Sequence, residues 1–192
     1  MNNQNYSRTL ICSLILLLFC SLNVKGQAQV AYEGSNLELT VTGTSTLHDW
    51  HMTTSAATGL IRTIQKDGSI FIESAEVEFL AETLKSGKKA MDKNAYKALE
   101  TDDNPKISFQ LNSIELKNEF KGSVEGNLTV SGKSQKVTMD ISLVVSGNQI
   151  VVTGSSDFKL TDFQVEPPKV LMGTIKTGNE VSIEFNTTFK TK

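Results

Sequence analysis

The chain of 192 residues is poor in cysteine, histidine and proline, and each shortage removes a class of function. Its two cysteines, Cys12 and Cys20, both lie near the N-terminus. Beyond them there is no disulfide, no thiolate nucleophile and no thiolate metal ligand to be made. His48 and His51 are the only histidines. Three apart on a strand, they leave opposite faces, and no third histidine exists to complete a zinc site. A serine nucleophile would have only these two as base, and no Gly-x-Ser-x-Gly elbow occurs. The expectation is a protein with no catalytic residues and no bound metal. Charge is balanced, with 19 basic and 21 acidic residues, and no basic stripe runs along the chain, so nucleic acid is not an expected partner.

Long apolar runs are also missing after the first segment. Arg8 precedes an apolar stretch, Leu10 to Phe19, that is too short to span a bilayer, and small residues follow at Gly26 and Ala28. This is the pattern of a signal peptide over residues 1–26, leaving 27–192 as a single domain in the periplasm or secreted. Phe19, before Cys20, is not the small residue a lipoprotein signal needs. Cleavage would remove Arg8 and Lys25 and no acid, so the mature balance is 17 − 21 = −4. A domain exported without disulfides must be held by its core alone.

What the sequence does have is alternation. Leu37, Leu39 and Val41 alternate with polar residues, and Val137, Met139, Ile141, Leu143 and Val145 do so most cleanly. A strand from Trp50 to Ile64 puts Trp50, Met52 and Ala56 in one phase. Ile70 and Ile72 give way to Ala75, Val77 and Phe79, a switch that requires a bulge near Glu73-Ser74. Ile107, Phe109 and Leu111 switch in the same way to Ile114 and Leu116. Phe120, Val124, Leu128 and Val130 share a face with Gly122 and Gly126. Lys66-Asp67-Gly68, Lys117-Asn118-Glu119, Ser131-Gly132-Lys133 and Ser146-Gly147-Asn148 are turns, and Pro167-Pro168 bars a central strand. Eight strands joined mostly by short turns predict an antiparallel barrel or sandwich.

One helix interrupts them, at about 87–100. Met91, Ala95, Ala98 and Leu99 form its apolar face, Ser86 is its expected N-cap, and Asp103-Asn104-Pro105 is expected to stop it. Lys85, Lys88, Lys89, Lys93 and Lys97 form its charged side, which allows transient contact with a membrane surface.

Three segments then carry a resemblance. They are Leu84-Lys85-Ser86-Gly87 through Met91 to Leu99 and on to Pro105-Lys106-Ile107-Ser108-Phe109; Gly126-Asn127-Leu128-Thr129-Val130-Ser131-Gly132; and Leu160-Thr161-Asp162-Phe163-Gln164-Val165 with Pro167-Pro168. Together they resemble the YceI-like family of exported lipid-binding, or polyisoprenoid-binding, proteins. Gly43 to Trp50 resembles the opening of one branch and departs from the quinone-binding members. The resemblance implies an eight-stranded, lipocalin-like antiparallel β-barrel with one inserted helix. It implies an apolar lipid of polyisoprenoid or quinone type as ligand rather than a cofactor, and extends to a homodimer. The tunnel lining expected from inward apolar positions is Trp50, Phe71, Phe79, Phe109 and Phe158, with Met91, Tyr96 and Leu99 near the helix. Gly126 marks a wall position where a bulky side chain would narrow the tube. Phe71 and Phe79 are both placed inside on the strength of the bulge near Glu73-Ser74. The alternative is a barrel packed shut, an envelope module with no lipid.

Overall fold

The computed structural model describes residues 29–66, 69–116 and 119–191, so residues 1–28, where the signal peptide is expected, Asp67-Gly68, Lys117-Asn118 and Lys192 lie outside the described residues. Eight long strands close into an antiparallel barrel. They are β1 (Gln29–Ser45), β2 (Trp50–Lys66), β3 (Ser69–Leu80), β4 (Lys106–Leu116), β5 (Glu119–Val130), β6 (Lys133–Ser146), β7 (Gln149–Lys159) and β9 (Ile175–Thr191). Neighbours in sequence are neighbours in space, β7 pairs with β9, and β1 pairs with β9 to close the ring. The two-residue β8 (Lys169–Val170) pairs only with the start of β9, as expected just after the two prolines. Each long strand thus has a neighbour on both sides, which suits a barrel whose described residues include no cysteine.

The alternating residues point inward as their period requires. Val137, Met139, Ile141 and Leu143 of β6 are buried, as are Val124, Leu128 and Val130 of β5. The bulge near Glu73-Ser74 is present. Arg62 pairs with Ser74 and Thr63 with Ile72, so Glu73 has no partner on β2. Its consequence for Phe71 is the reverse of the one expected. Phe71 and Phe79 are an even number of residues apart, so one inserted residue puts them on opposite faces. Ile72 is 1% exposed, while Phe71 is half-buried on the other face and outside the core. A second phase error has the same origin. The register between β1 and β2 shifts between Leu37 and Leu39, so Ala57 is buried and Ala56 is exposed.

The helix, α1 (Lys89–Ala98), sits in the β3–β4 connection. It is shorter than expected at both ends. Lys88 occupies the N-cap with no side-chain bond to the helix. Ser86 instead folds the preceding turn, accepting a bond from the Lys88 N–H. At the other end Glu100 takes a left-handed conformation, φ 52°, and ends the helix before Pro105 can act.

Candidate functional site

The barrel interior is hollow at the end that carries α1. A cavity of about 410 Å³ lies between the strand ends, α1 and the segment from Leu160 to Thr177. The strands contribute Val41, Met52, Phe79, Leu128, Val130 and Ile183, and α1 contributes Met91, Ala95, Ala98 and Leu99. Polar groups gather among residues of the connecting segments and strand ends: Ser45, His48, Lys88, Asn94 and Thr177. Lys88 and His48 are the only titratable side chains on this wall among the described residues. A second space of about 100 Å³ lies deeper, lined by residues such as Leu37, Ile61, Ile72, Leu111 and Phe189. Phe79, Ile107, Leu128 and Ile183 border both spaces, forming the constriction between them.

Two devices hold α1 over this cavity. The Ser86 N–H and hydroxyl both donate to Oδ1 of Asp92, at 2.8 and 2.6 Å. Those bonds, the hydroxyl's first, hold the nearly buried Asp92 carboxyl below its usual range. Tyr96 is the other device. Its hydroxyl lies 2.7 Å from the Leu84 carbonyl and 3.0 Å from that of Glu82, and Lys85 Nζ donates to it at 2.8 Å. That bond raises the Lys85 ammonium above its ordinary value. Lys85 in turn exchanges two backbone bonds with Thr53 of β2. The helix is thus tied to the barrel rim through hydrogen bonds while its apolar face is left toward the cavity.

The expected lining residues separate into four groups. Trp50, Phe79, Met91, Leu99 and Phe158 line the upper cavity. Phe109 lines only the deeper one. Phe71 lines neither, for the reason of phase given above. Tyr96 also lines neither cavity and serves as the anchor of α1. Gly126 is covered, because a Cβ there would lie 2.2 Å from Cζ of Phe109. The glycine lets the Phe109 ring lie against β5, so this position is closed core and no free wall. Gly43 does the same for Trp50: a Cβ would lie 2.3 Å from Cζ2 of the indole, whose N–H donates to the Thr44 carbonyl at 2.9 Å.

Sequence reasoning missed Val165, Val170 and Ile175, which lie on the wall. They belong to the stretch after Leu160, where no period of 2 or 3.6 exists to mark an inward face. The histidines are not brought together. His48 lines the mouth, while His51 is exposed in an outer groove with Asp49, Asp157 and Glu180. Glu76 and Glu78 pair across the outer wall with Arg62 and Lys106. No group of acids and histidines among the described residues is arranged to hold a metal ion. No helix among them is long and apolar enough to cross a membrane.

A family model described as the YceI-like domain matches residues 25–189. Among solved structures, BcnA of Burkholderia cenocepacia is 17% identical, with a TM-score of 0.61 over 78% of this chain and 95% of that one. A polyisoprenoid binding domain from Saccharophagus degradans, implicated in plant cell wall breakdown, is 11% identical. Its TM-score is 0.63 over 87% of this chain and 100% of that one. At these identities the likeness is one of fold. Comparison with curated proteins returns no match.

Proposed function

The chain belongs to the YceI-like family, and from that premise we propose that it binds a long apolar lipid of isoprenoid or quinone type inside the barrel and carries or stores it in the periplasm. The observation that carries this reading is the cavity itself. It is about 410 Å³, apolar along its walls and polar at its mouth. That is the size and character of a site for one slim apolar molecule. A barrel packed shut would have no such space. The likeness to the polyisoprenoid binding domain from Saccharophagus degradans supports the same ligand class.

The chemistry follows from the distribution of groups. Apolar chain leaving water for the walls gains about 25 cal/mol per Å² of surface buried. Ser45, His48, Lys88, Asn94 and Thr177 remain to meet a polar headgroup at the mouth. No residue is asked to move a proton or form a bond, so the role is binding, with no catalytic step. The leader pattern in residues 1–26 supports export, which N-terminal sequencing of the exported protein tests: the chain should begin between Gln27 and Gln29.

The decisive experiment replaces Ala95, on the cavity-facing side of α1, by tryptophan. Protein purified from its own envelope would be extracted and its lipid identified by mass spectrometry. Wild type should carry an apolar chain in a one-to-one complex. Ala95→Trp should lose it while the thermal midpoint of the lipid-free form holds. Wild type that carries no lipid, with Ala95→Trp unfolding, would mean that the interior is core and that the protein is a structural module.

A further inference from the structure

The cavity mouth is finished differently from the rest of the surface. Leu47 is 65% exposed, Leu171 is 70% exposed and Met172 is fully exposed. The other large apolar side chains exposed among the described residues, Val30, Leu80 and Val144, stand singly on separate strands. Leu171 and Met172 are the tip of the β8–β9 hairpin. Both hold left-handed backbone, φ 51° and 55°, a conformation that asparagine or glycine would take more readily. The tip does not float. Thr46 N–H donates to the Lys176 carbonyl at 3.0 Å, and Lys176 N–H donates to Thr46 Oγ1 at 3.1 Å. This locks the β1–β2 loop that bears Leu47 beside the hairpin that bears Leu171 and Met172. Leu47, Val170 and Ile175 also line the cavity, so the exposed cluster is continuous with the apolar wall inside.

Three lysines stand at this end of the barrel. Lys88 lies on the cavity wall, Lys89 follows it on α1, and Lys176 adjoins Thr46. None of the three forms an ion pair among the described residues. Of the nearby acids, Asp92 is turned onto Ser86 and Glu166 is paired with Lys169, while Asp49, Asp157 and Glu180 lie in the outer groove. Unpaired positive charge is therefore present at the same end of the barrel as the exposed apolar cluster, in a chain whose net charge is negative.

We infer that this rim seats on a lipid surface bearing anionic headgroups. Leu47, Leu171 and Met172 enter the interfacial layer while Lys88, Lys89 and Lys176 rest on the headgroups. The inference rests on the carrier reading and extends it: a mouth pressed onto the bilayer lets an apolar chain pass into the barrel without crossing water. A second copy of the chain is a poorer occupant, because a two-fold contact through this rim would bring the lysines of both copies together.

The test is sedimentation of the purified protein with vesicles of phosphatidylcholine alone or mixed with phosphatidylglycerol. Wild type should favour the mixed vesicles and be released by salt. The double variant Leu171→Ser/Met172→Ser should lower vesicle partitioning at least about tenfold, by loss of two apolar side chains from the interface. Loaded with lipid directly from detergent, it should hold that lipid as wild type does, since neither residue lines the cavity. Lys89→Glu/Lys176→Glu should remove the preference for phosphatidylglycerol, each lysine contributing about fivefold. The inference is overturned by wild type that binds neither vesicle, by a tip variant that binds as well as wild type, or by a dimer that dissociates only in the tip variant. Cargo-laden protein that ignores vesicles would sink the docking and leave carriage standing. Protein that docks but never holds a lipid would do the opposite.

Discussion

Phe79→Ala probes the interior most directly, because this ring borders both the 410 Å³ upper space and the 100 Å³ deeper one. The side chain is 8% exposed. Its removal should therefore cost the lipid-free protein about 3–5 kcal/mol. For a domain of this size that lowers the thermal midpoint by about 10 °C. The same change opens the constriction and joins the two spaces. At about 24 cal/mol per Å³, the 100 Å³ already empty below the ring is worth about 2 kcal/mol to a chain that reaches into it. The variant should therefore recover part of its stability when loaded, and should select longer chains than wild type does. Lipid extraction with mass spectrometry reads the chain-length distribution, and calorimetry of loaded and stripped protein reads the midpoints. An unchanged distribution in a variant whose stripped form is destabilised would refute the continuity of the two spaces. An unchanged midpoint would refute the packing of Phe79.

Three further outcomes are expected. Asp92→Asn should cost about 1.5–3 kcal/mol, since Ser86 donates to a charged oxygen from both its hydroxyl and its backbone. Because the folded carboxyl is held below its usual value, that stabilisation is present at neutral pH and is lost as pH falls below about 4 and through the folded pKa. Acid unfolding of the Asn variant should accordingly be flatter than that of wild type. Tyr96→Phe should cost about 1 kcal/mol and increase amide exchange in α1, because it cuts the helix from the Leu84 carbonyl; unchanged exchange would show that α1 is held by its apolar face alone. Gly126→Leu should destabilise the fold outright, measured by denaturant midpoint, because its Cβ lands within 2.2 Å of the Phe109 ring. A stable Gly126→Leu variant would mean that Phe109 has somewhere else to go.

Most of the barrel was legible because a strand repeats every two residues, and a buried face leaves that repeat in the sequence. The run from Val137 to Val145 and the phase change after Ile72 are direct records of it. The helix face was legible by the same logic at a period of 3.6. Phe71 was a miscount of phase and no limit of the pattern: it alternates with Ile70 and Ile72, so the same bulge that brings Phe79 to their face leaves Phe71 on the other. Ala56 failed for a related cause: Leu37 and Leu39, two apart on β1, face Ala57 and Thr54, three apart on β2, so an extra residue in β2 turns the phase there.

The site divides along the same line. Apolar spacing placed Trp50, Phe79, Met91, Leu99 and Phe158 on inward faces, and those faces meet at one cavity. Whether an inward residue borders open space or another side chain is not a property of its own strand. Gly126 was inward, as its phase required, yet Phe109 from β4 covers it. Tyr96 looked like lining, yet its hydroxyl found the carbonyls of Glu82 and Leu84. The sequence alone determined the strands, the single helix and, away from the bulges at Phe71 and Ala56, which residues face inward, because periodicity is set by local backbone geometry. Only the tertiary structure decided that the interior stays hollow and that Leu47, Leu171 and Met172 share one rim. Empty volume and surface adjacency arise where distant segments meet, and no single segment encodes them.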